Sequence, residues 1–445
     1  MADGVGANGR RLGGTSGVPA ATECRAMDGP ERGNGMTVSL PAGVSWVRLS
    51  FVDVFGGAHS VQLPADRFPI ACDEGAPFDG SALEGRARHL ESDMLLRPDA
   101  SSLIALGDGM ARAACTVIGP DGRPWPGDPR TALAELVDDL VLDGAWTAAA
   151  ELEFYLLDGD RRPVDRGGYF SEDEGAGMVV ARAAADRLSG FGIEVLSCHH
   201  EAGPGQFELD LGPLPPLALA DGLVLAKQVL KETAAAAGLR ATFMARPFNG
   251  LPGSGLHLHQ RVEGQLFEDG GKLDESGRCF VAGQLAHGRG LAALAAPNVN
   301  SYKRLHAGPE APGAVMWAHS NRAALIRVAG GAVEFRAADP SANPYLLIGG
   351  LLAAAAHGLE AALELAPPFE EDFGGFDPVA SQSVRYDPLP RDLDEALDAL
   401  QSDDVLVDAF DSRLLARLVD GRRAEAEDYR AQVTAWELDR YLDDA

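Results

Sequence analysis

An α/β or α+β protein is predicted by three features of this sequence. Strand-like and helix-like segments alternate along one long stretch after about residue 125. Four of the strand-like segments in that stretch carry apolar residues on one face and Glu, His or Arg on the other. A shorter, strand-rich region precedes them, closed by the Pro/Gly/Asp cluster from Gly119 to Arg130. The expected organisation is a leader over 1–35, a small domain over 36–124 and a large domain over 125–445.

Taken in order, residues 1–35 are Gly-rich, mixed in charge and without an apolar run, so they read as a disordered leader, not a signal peptide, with the folded part starting near Met36. VSWVRLSFVDVFGGAHSVQLP (44–64) reads as a hairpin around Phe-Gly-Gly. Asp53, just before that turn, reads from the residues alone as a turn-capping carboxylate. Asp128-Pro129 is an N-cap with proline at the first helical position. Leu133, Leu136, Val137 and Leu140 then share one helical face, and Gly144 is expected to close it. Further helices are expected over Met178–Leu188, about Ala220–Ala237 with Gly238 as cap, near Phe280–Leu294, and over the Ala-rich run from Leu346 to Ala366. That run contains His357, Glu360 and Glu364, so it reads as a buried helix rather than a membrane span. From Leu389 on the chain is helical and charged, with Trp436, Leu438 and Tyr441 as the docking face.

The stretch ATFMARPFNGLPGSGLHLHQ (241–260) ends in a Gly-Ser-Gly turn running into His257 and His259, which point to one side of a strand. Alone this is a weak motif, equally a half-exposed strand with two surface histidines. Three other segments repeat the pattern. Glu151 and Glu153 alternate with Leu152 and Phe154; Gln206, Glu208 and Asp210 with Phe207, Leu209 and Leu211; Glu334 and Arg336 with Val333 and Phe335. Clustered glutamates repel one another unless a cation sits among them. An oxygen-rich donor set with few imidazoles favours Mg²⁺ or Mn²⁺ over zinc.

The formal net charge of −28 argues against nucleic acid or an anionic membrane as partner and fits a soluble cytoplasmic protein. The five cysteines are scattered, without Cys-x-x-Cys spacing, and read as reduced thiols.

In this order and spacing, FDGSALEG and ESDMLLRPD (78–99), AELEF (150–154), RGGYF (166–170), HHEAGPGQFE (199–208), GSGLHLHQ (253–260), PNVNSYKRL (297–305), NRAALIRV (321–328) and EFRAADPSANPYL (334–346) are highly specific. The chain resembles glutamine synthetase of the bacterial class I type from about Val44 to Tyr441. The resemblance implies an α+β architecture: a small β-grasp-like domain, then a large α/β catalytic domain whose antiparallel half-barrel holds the active site. It implies a homo-oligomeric double hexameric ring with sites between subunits. ATP would phosphorylate the glutamate γ-carboxylate, and ammonia would displace the phosphate.

Carried over by motif, Glu153, Glu201 and Glu208 resemble the ligands of one Mg²⁺ (or Mn²⁺), and Glu151, His257 and Glu334 those of a second. His259 resembles a nucleotide-phosphate contact. Arg322 and Arg327 resemble the cations around the transferring phosphoryl group, and Arg304, Arg336 and the Gly253 backbone the glutamate-binding set. Glu310 matches the flap glutamate that shields the intermediate. Asp53, Asp79 and Tyr169 fall where the family lines its ammonium pocket, the two aspartates coming from the neighbouring subunit; for Asp53 this outweighs the turn-cap reading.

The departures lie on the nucleotide side. Pro252 and Leu196 replace an Asn and a Glu usual in the family, Arg261 replaces a Ser, and the loop VAGGAV between Arg327 and Glu334 is short and lacks basic residues. Phe376 stands near the family's regulatory tyrosine. EAGPGQFE and ATFMARPF also resemble relatives that join glutamate to polyamines or other small amines, whereas Asp79 and Glu310 favour ammonia. Three functions are therefore carried forward: a glutamate–ammonia ligase, a γ-glutamyl ligase for a small amine, and a weakly active ring-forming paralogue with a structural or regulatory role.

Overall fold

The computed structural model describes residues 39–85, 93–140, 144–172, 175–268, 270–306, 311–370 and 386–443. All of them fall in one compact unit, Val38–Ala445. Two sheets, each with its own apolar core, build it. The leader expected over 1–35, the flap residue Glu310 and Phe376 lie outside the described residues.

The N-terminal sheet begins with the expected hairpin, β1 (Trp46–Val52) and β2 (Ala58–Pro64). There follow α1 (Phe68–Glu74), β3 (Ala76–Asp79), β4 (Asp93–Pro98), β5 (Ile104–Gly107) and β6 (Met110–Ile118). The strand order is β2-β1-β6-β4-β3, with β5 also on β6. β1 and β6 run parallel, which requires the long connection that α1 to β5 supplies. Val47, Leu49, Phe68, Met94, Leu96 and Cys115 fill the core beneath.

The second part runs through α2 (Pro129–Asp139), β7 (Trp146–Leu157), α3 (Ala176–Gly190), β8 (Val195–His200), β9 (Gln206–Leu214), α4 (Pro216–Ala236), β10 (Arg240–Thr242) and β11 (Leu256–Val262). It continues with α5 (Glu275–Ala286), α6 (Gly288–Ala295), α7 (Val299–Leu305), β12 (Ala314–Ala318), β13 (Ala324–Ala329), β14 (Ala332–Phe335) and α8 (Pro344–Glu360). The end is α9 (Leu393–Gln401), α10 (Asp404–Asp408), α11 (Ser412–Arg430) and α12 (Ala435–Tyr441). Its eight-stranded sheet has the order β12-β13-β14-β11-β7-β9-β8, with β10 also on β7. Only β12 and β13 pair in parallel; the other ladders are antiparallel. Leu152 and Phe154 of β7, Phe207 and Leu209 of β9, and Leu256 and Leu258 of β11 join one core with the apolar residues of α3 and α4.

A buried ion pair ties the two parts together. Arg130, at the start of α2, donates to Asp99 beyond β4 (2.7 Å) and through Nε and Nη2 to Asp221 of α4 (3.1 and 2.9 Å). The Tyr345 hydroxyl of α8 donates to the same Asp221. Losing one partner of such a buried pair costs about 3–5 kcal/mol, because the other charge is left unsolvated.

Four expectations need correction. α2 ends at Asp139, with Leu140 already extended; Gly144 does not cap it but sits just ahead of β7, where a Cβ would press on Glu263 O. The helix expected near 280–294 is two helices, α5 and α6, turning at His287, whose ring is held by Asp403 (2.8 Å) and His357 (2.9 Å). The helix expected over Leu346–Ala366 begins at Pro344 and stops at Glu360. Trp436, Leu438 and Tyr441 do not dock within the chain: they are 61%, 47% and 49% exposed.

α5 and α8 cross so closely that a Cβ on Gly283 would collide with Ala354 O and with the Gly358 backbone. Gly283→Val is therefore expected to lower unfolding free energy by about 3 kcal/mol or more through overpacking. Chemical denaturation of that variant, with an exposed Gly159→Ala control where a Cβ meets open space, measures it.

Candidate active site

Pairing, not sequence proximity, assembles the cleft. Antiparallel register sets Glu153 opposite Glu208 on β9, and Glu208 opposite His199 on β8. One step along, Glu151 lies opposite Asp210 on one side and His257 of β11 on the other. His259 lies opposite Glu334 of β14, and Glu334 opposite Arg327 of β13. Because side chains alternate along each strand, all of these face away from the apolar core.

Hydrogen bonds lock the row. His257 Nδ1 and His259 Nε2 each lie 2.8 Å from a different oxygen of Glu151. Arg304 donates to the other His257 nitrogen at 3.3 Å, so Nδ1–H is the one that donates to Glu151. Arg304 is itself fixed by the carbonyls of Ala337 (3.1 Å) and Arg336 (3.2 Å). Arg336 pairs with Glu334 and donates through Nε to Arg322 O at 3.0 Å. Gln206 donates to Glu153 (3.1 Å) and to Gly253 O (3.0 Å), joining β9, β7 and the loop before β11.

Two glycines let backbone and side chains meet. A Cβ on Gly253 would stand 2.8 Å from the Arg304 side chain, and one on Gly255 would stand 2.6 Å from His257 Nε2 and 2.9 Å from Glu153 Oε1. Gly255 thus leaves open the space between the imidazole, Arg304 and Glu153.

The electrostatics are those of a cluster short of positive charge. Burial works against ionising Glu151, but hydrogen bonds from His257 and His259 outweigh it and hold the carboxyl far below its usual range. Burial, with Arg336 nearby, pulls the His257 imidazole down to about 4, so it is neutral and fit to ligate a cation. Burial also pushes Glu153 up, and burial together with Glu153, Glu151 and Asp210 pushes Glu208 up. Glu334 is 1% exposed, and its Oε2 faces Arg327 at 3.2 Å without a hydrogen bond. Crowded carboxylates raised in this way are relieved by a bound cation.

Among the described residues, three groups have donor atoms within 4.8 Å of one another: Glu151 with His259 and Glu334; His199 with Glu201 and Glu208; and Glu151 with Glu208 and Asp210. All six expected metal-binding residues therefore lie in this cleft or on its register, with differences in grouping. His259 completes the first group, while His257 lies 2.8 Å from Glu151 and 3.8 Å from Glu334. His199 stands beside Glu201 and Glu208, while the Glu153 carboxylate turns to Gln206. Sequence reasoning assigned no role to His199, Gln206 or Asp210. The signal was present, since each shares strand parity with an assigned glutamate.

Tyr169 lies beside the same cluster. Its hydroxyl hydrogen-bonds to the Arg322 side chain, and burial with Glu201 nearby raises it. Asp53 and Asp79 stay in the N-terminal sheet. Asp53 accepts from the backbone N–H groups of Phe55 (3.0 Å) and Gly57 (2.7 Å) and contacts His59 (2.8 Å), the turn-cap arrangement. Asp79, exposed, accepts from Ser81 N at 2.9 Å.

Two of the departures noted in the sequence have local contacts in the structure. Gly330 and Gly331, both at positive φ, make a tight two-residue turn between β13 and β14, and Arg261 clamps their carbonyls at 3.2 and 3.1 Å. The Pro252 carbonyl accepts from the buried Tyr155 hydroxyl at 2.8 Å.

Comparison with known proteins agrees with this picture. Residues 43–120 match the family profile described as the β-grasp domain of glutamine synthetase, and residues 126–441 the one described as its catalytic domain. The chain is 37% identical over 434 residues to the glutamine synthetase of Thermus thermophilus, covering 90% of this chain and 96% of that one. It is 37% identical over 428 residues to the glutamine synthetase of Mycobacterium tuberculosis, with the same coverage. A solved structure titled "Apo GmaS without ligand" superposes with a TM-score of 0.82 at 30% identity, over 90% of this chain and 97% of that one.

Mg²⁺ or Mn²⁺ is expected to stabilise the folded chain by about 3–4 kcal/mol at 100 to 1,000 times its dissociation constant. Glu151→Ala and Glu334→Gln should each remove most of that gain. Thermal unfolding with and without the ion measures it, independently of turnover.

Proposed function

Because this chain belongs to the glutamine synthetase family and is an enzyme of that type, we propose that it uses ATP to activate the γ-carboxylate of glutamate and ammonia to displace the phosphate, giving glutamine. The observation that carries this reading is the row of carboxylates and imidazoles across β8, β9, β7, β11 and β14, flanked by Arg304, Arg322, Arg327 and Arg336.

Each group has a distinct task in this reading. Glu153, Glu201 and Glu208, with His199, would hold one divalent cation, and Glu151, His257 and Glu334, with His259, a second. Bound there, the cations would neutralise phosphate charge, as phosphoryl transfer requires. Arg304 and Arg336 present fixed N–H groups to the carboxylate end of glutamate, and the Gly253 backbone closes on its amino-acid group. Arg322 and Arg327 stabilise charge on the transferring phosphoryl group, and His259 meets the nucleotide phosphates. Tyr169, with Asp53 and Asp79 of a neighbouring copy, lines the ammonium site, and Glu310 shields the intermediate. In this reading the working form is a cytoplasmic ring oligomer in which those aspartates reach the cleft of a neighbouring copy.

One observation favours the second reading, a small amine in place of ammonia. Beside His199 a cavity of about 550 Å³ opens, lined by Phe170, Met178, Arg182 and Cys198. In this reading it would take the carbon substituent of the amine.

ATP-dependent phosphate release with glutamate and Mg²⁺ is expected to be faster with ammonium than with any of a panel of primary amines. A preference for one amine would select the second reading, and silence with every acceptor on an assembled sample would overturn both. Subunit complementation tests the shared site. Glu153→Ala and Asp79→Ala chains should each be inactive alone. Co-assembled in equal amounts, they should regain about a quarter of wild-type activity, the fraction of interfaces with both residues intact. No recovery in mixed rings would place Asp79 outside the reaction.

A further inference from the structure

Outside the cleft, the strongest feature is a cavity of about 700 Å³ formed by the loop after β10 and by α7. The same loop presents Gly253 to the cleft and the same helix presents Arg304, but the residues lining this cavity are different ones. Arg246, Lys303, His306 and Arg391 line it, against a single carboxylate, Asp392. That balance is unusual in a chain with 66 acidic and 38 basic residues.

Two of these charges are already committed. Arg391 pairs with Glu395 at 3.1 Å, and Asp392 caps α9 by accepting from Glu395 N at 2.9 Å. Arg246 and Lys303 make no ion pair among the described residues. Arg246 is held rigidly instead: its backbone N–H donates to Asn300 Oδ1 (2.8 Å), Asn300 Nδ2 donates back to its carbonyl (3.0 Å), and its guanidinium donates to Lys303 O (2.7 Å). Its Nε finds no acceptor. Lys303 Nζ stands 4.7 Å over the ring of Tyr429. Met244, Phe248 and Tyr302 supply apolar surface, and Tyr302, 5% exposed, has a hydroxyl with no hydrogen-bond partner.

An anchored guanidinium and an ammonium, neither with an ion-pair partner among the described residues, set around a roomy cavity with apolar walls, are the features of a receptor for an anion with a hydrocarbon body. We propose that this cavity binds a small organic di- or tricarboxylate, held by Arg246 and Lys303, at a site separate from the glutamate end of the cleft. Phe248 and Met244 pack against the carbon chain.

The test is calorimetric titration of succinate and of tricarballylate into the assembled full-length protein, with Mg²⁺ and saturating glutamate present so that the cleft is filled. The expected result is saturable binding of at least one probe, one per chain, with a dissociation constant at or below about 1 mM. Neutral succinamide should not bind. Lys303→Ala, at an exposed side chain, should weaken binding by about tenfold or more, as loss of a charged hydrogen-bond partner implies. Arg246→Gln should do the same where it assembles, while Glu334→Gln should leave binding unchanged. Absence of saturable binding by either probe up to about 10 mM, binding indifferent to Lys303→Ala, or loss of binding in Glu334→Gln would each overturn the proposal.

Discussion

The pairing of β7 between β9 and β11 is the constraint on which the rest of the molecule depends. Leu152 and Phe154 are fully buried, and the residues between and before them, Glu153 and Glu151, stand in the cleft. A slip of one residue in either ladder would move both sets to the wrong faces. The core under the sheet and the carboxylates over it are therefore specified by one register. Gly253 and Gly255 serve that register from the loop, since any side chain there would strike Arg304 or His257.

The cleft also shows how an acidic site is held together by partners from its own chain. Glu151 is held by two imidazoles, one oxygen of Glu334 by Arg336, and Glu153 by Gln206. Glu208 has His199 on one side and other carboxylates around it, and burial leaves it the least content of the set. The imbalance is concentrated among these carboxylates, while Arg304 and Arg336 are anchored by backbone carbonyls. That is preorganisation in the sense that matters for phosphoryl transfer, where positioning and charge do most of the work.

Much of this was legible in the chain. The alternation in Glu151–Phe154, Gln206–Leu211, Leu256–His259 and Val333–Arg336 predicted the amphipathic strands, and the ordered motifs predicted the family. Which imidazole stands with which carboxylate was not legible, because cross-strand register brings together residues such as Glu151 and His259 that lie 108 positions apart. The turn between α5 and α6 escaped for the same reason. His287 sits in a sequence that reads as continuous helix, and its partners, His357 and Asp403, lie 70 and 116 residues away. Gly144 was misread because a glycine after a helical pattern looks like a cap, whereas here it is selected by contact with Glu263 O. The apolar residues of α12 promised a docked helix, but a helical pattern does not say which surface will cover it.

The two-sided use of β7 has a consequence for how such a chain can change over time. Pressures for a stable fold and for a particular reaction usually compete for the same positions. Along β7 they fall on alternate letters of one short word. Residues on the cleft side can drift toward a new acceptor while the core spelling is kept, and the core can be respelled in other apolar residues while the chemistry is kept. What the arrangement cannot absorb is a change of length inside the strand. Diversification in a lineage built this way would proceed by substitution within the strands and by insertion only in the connections between them.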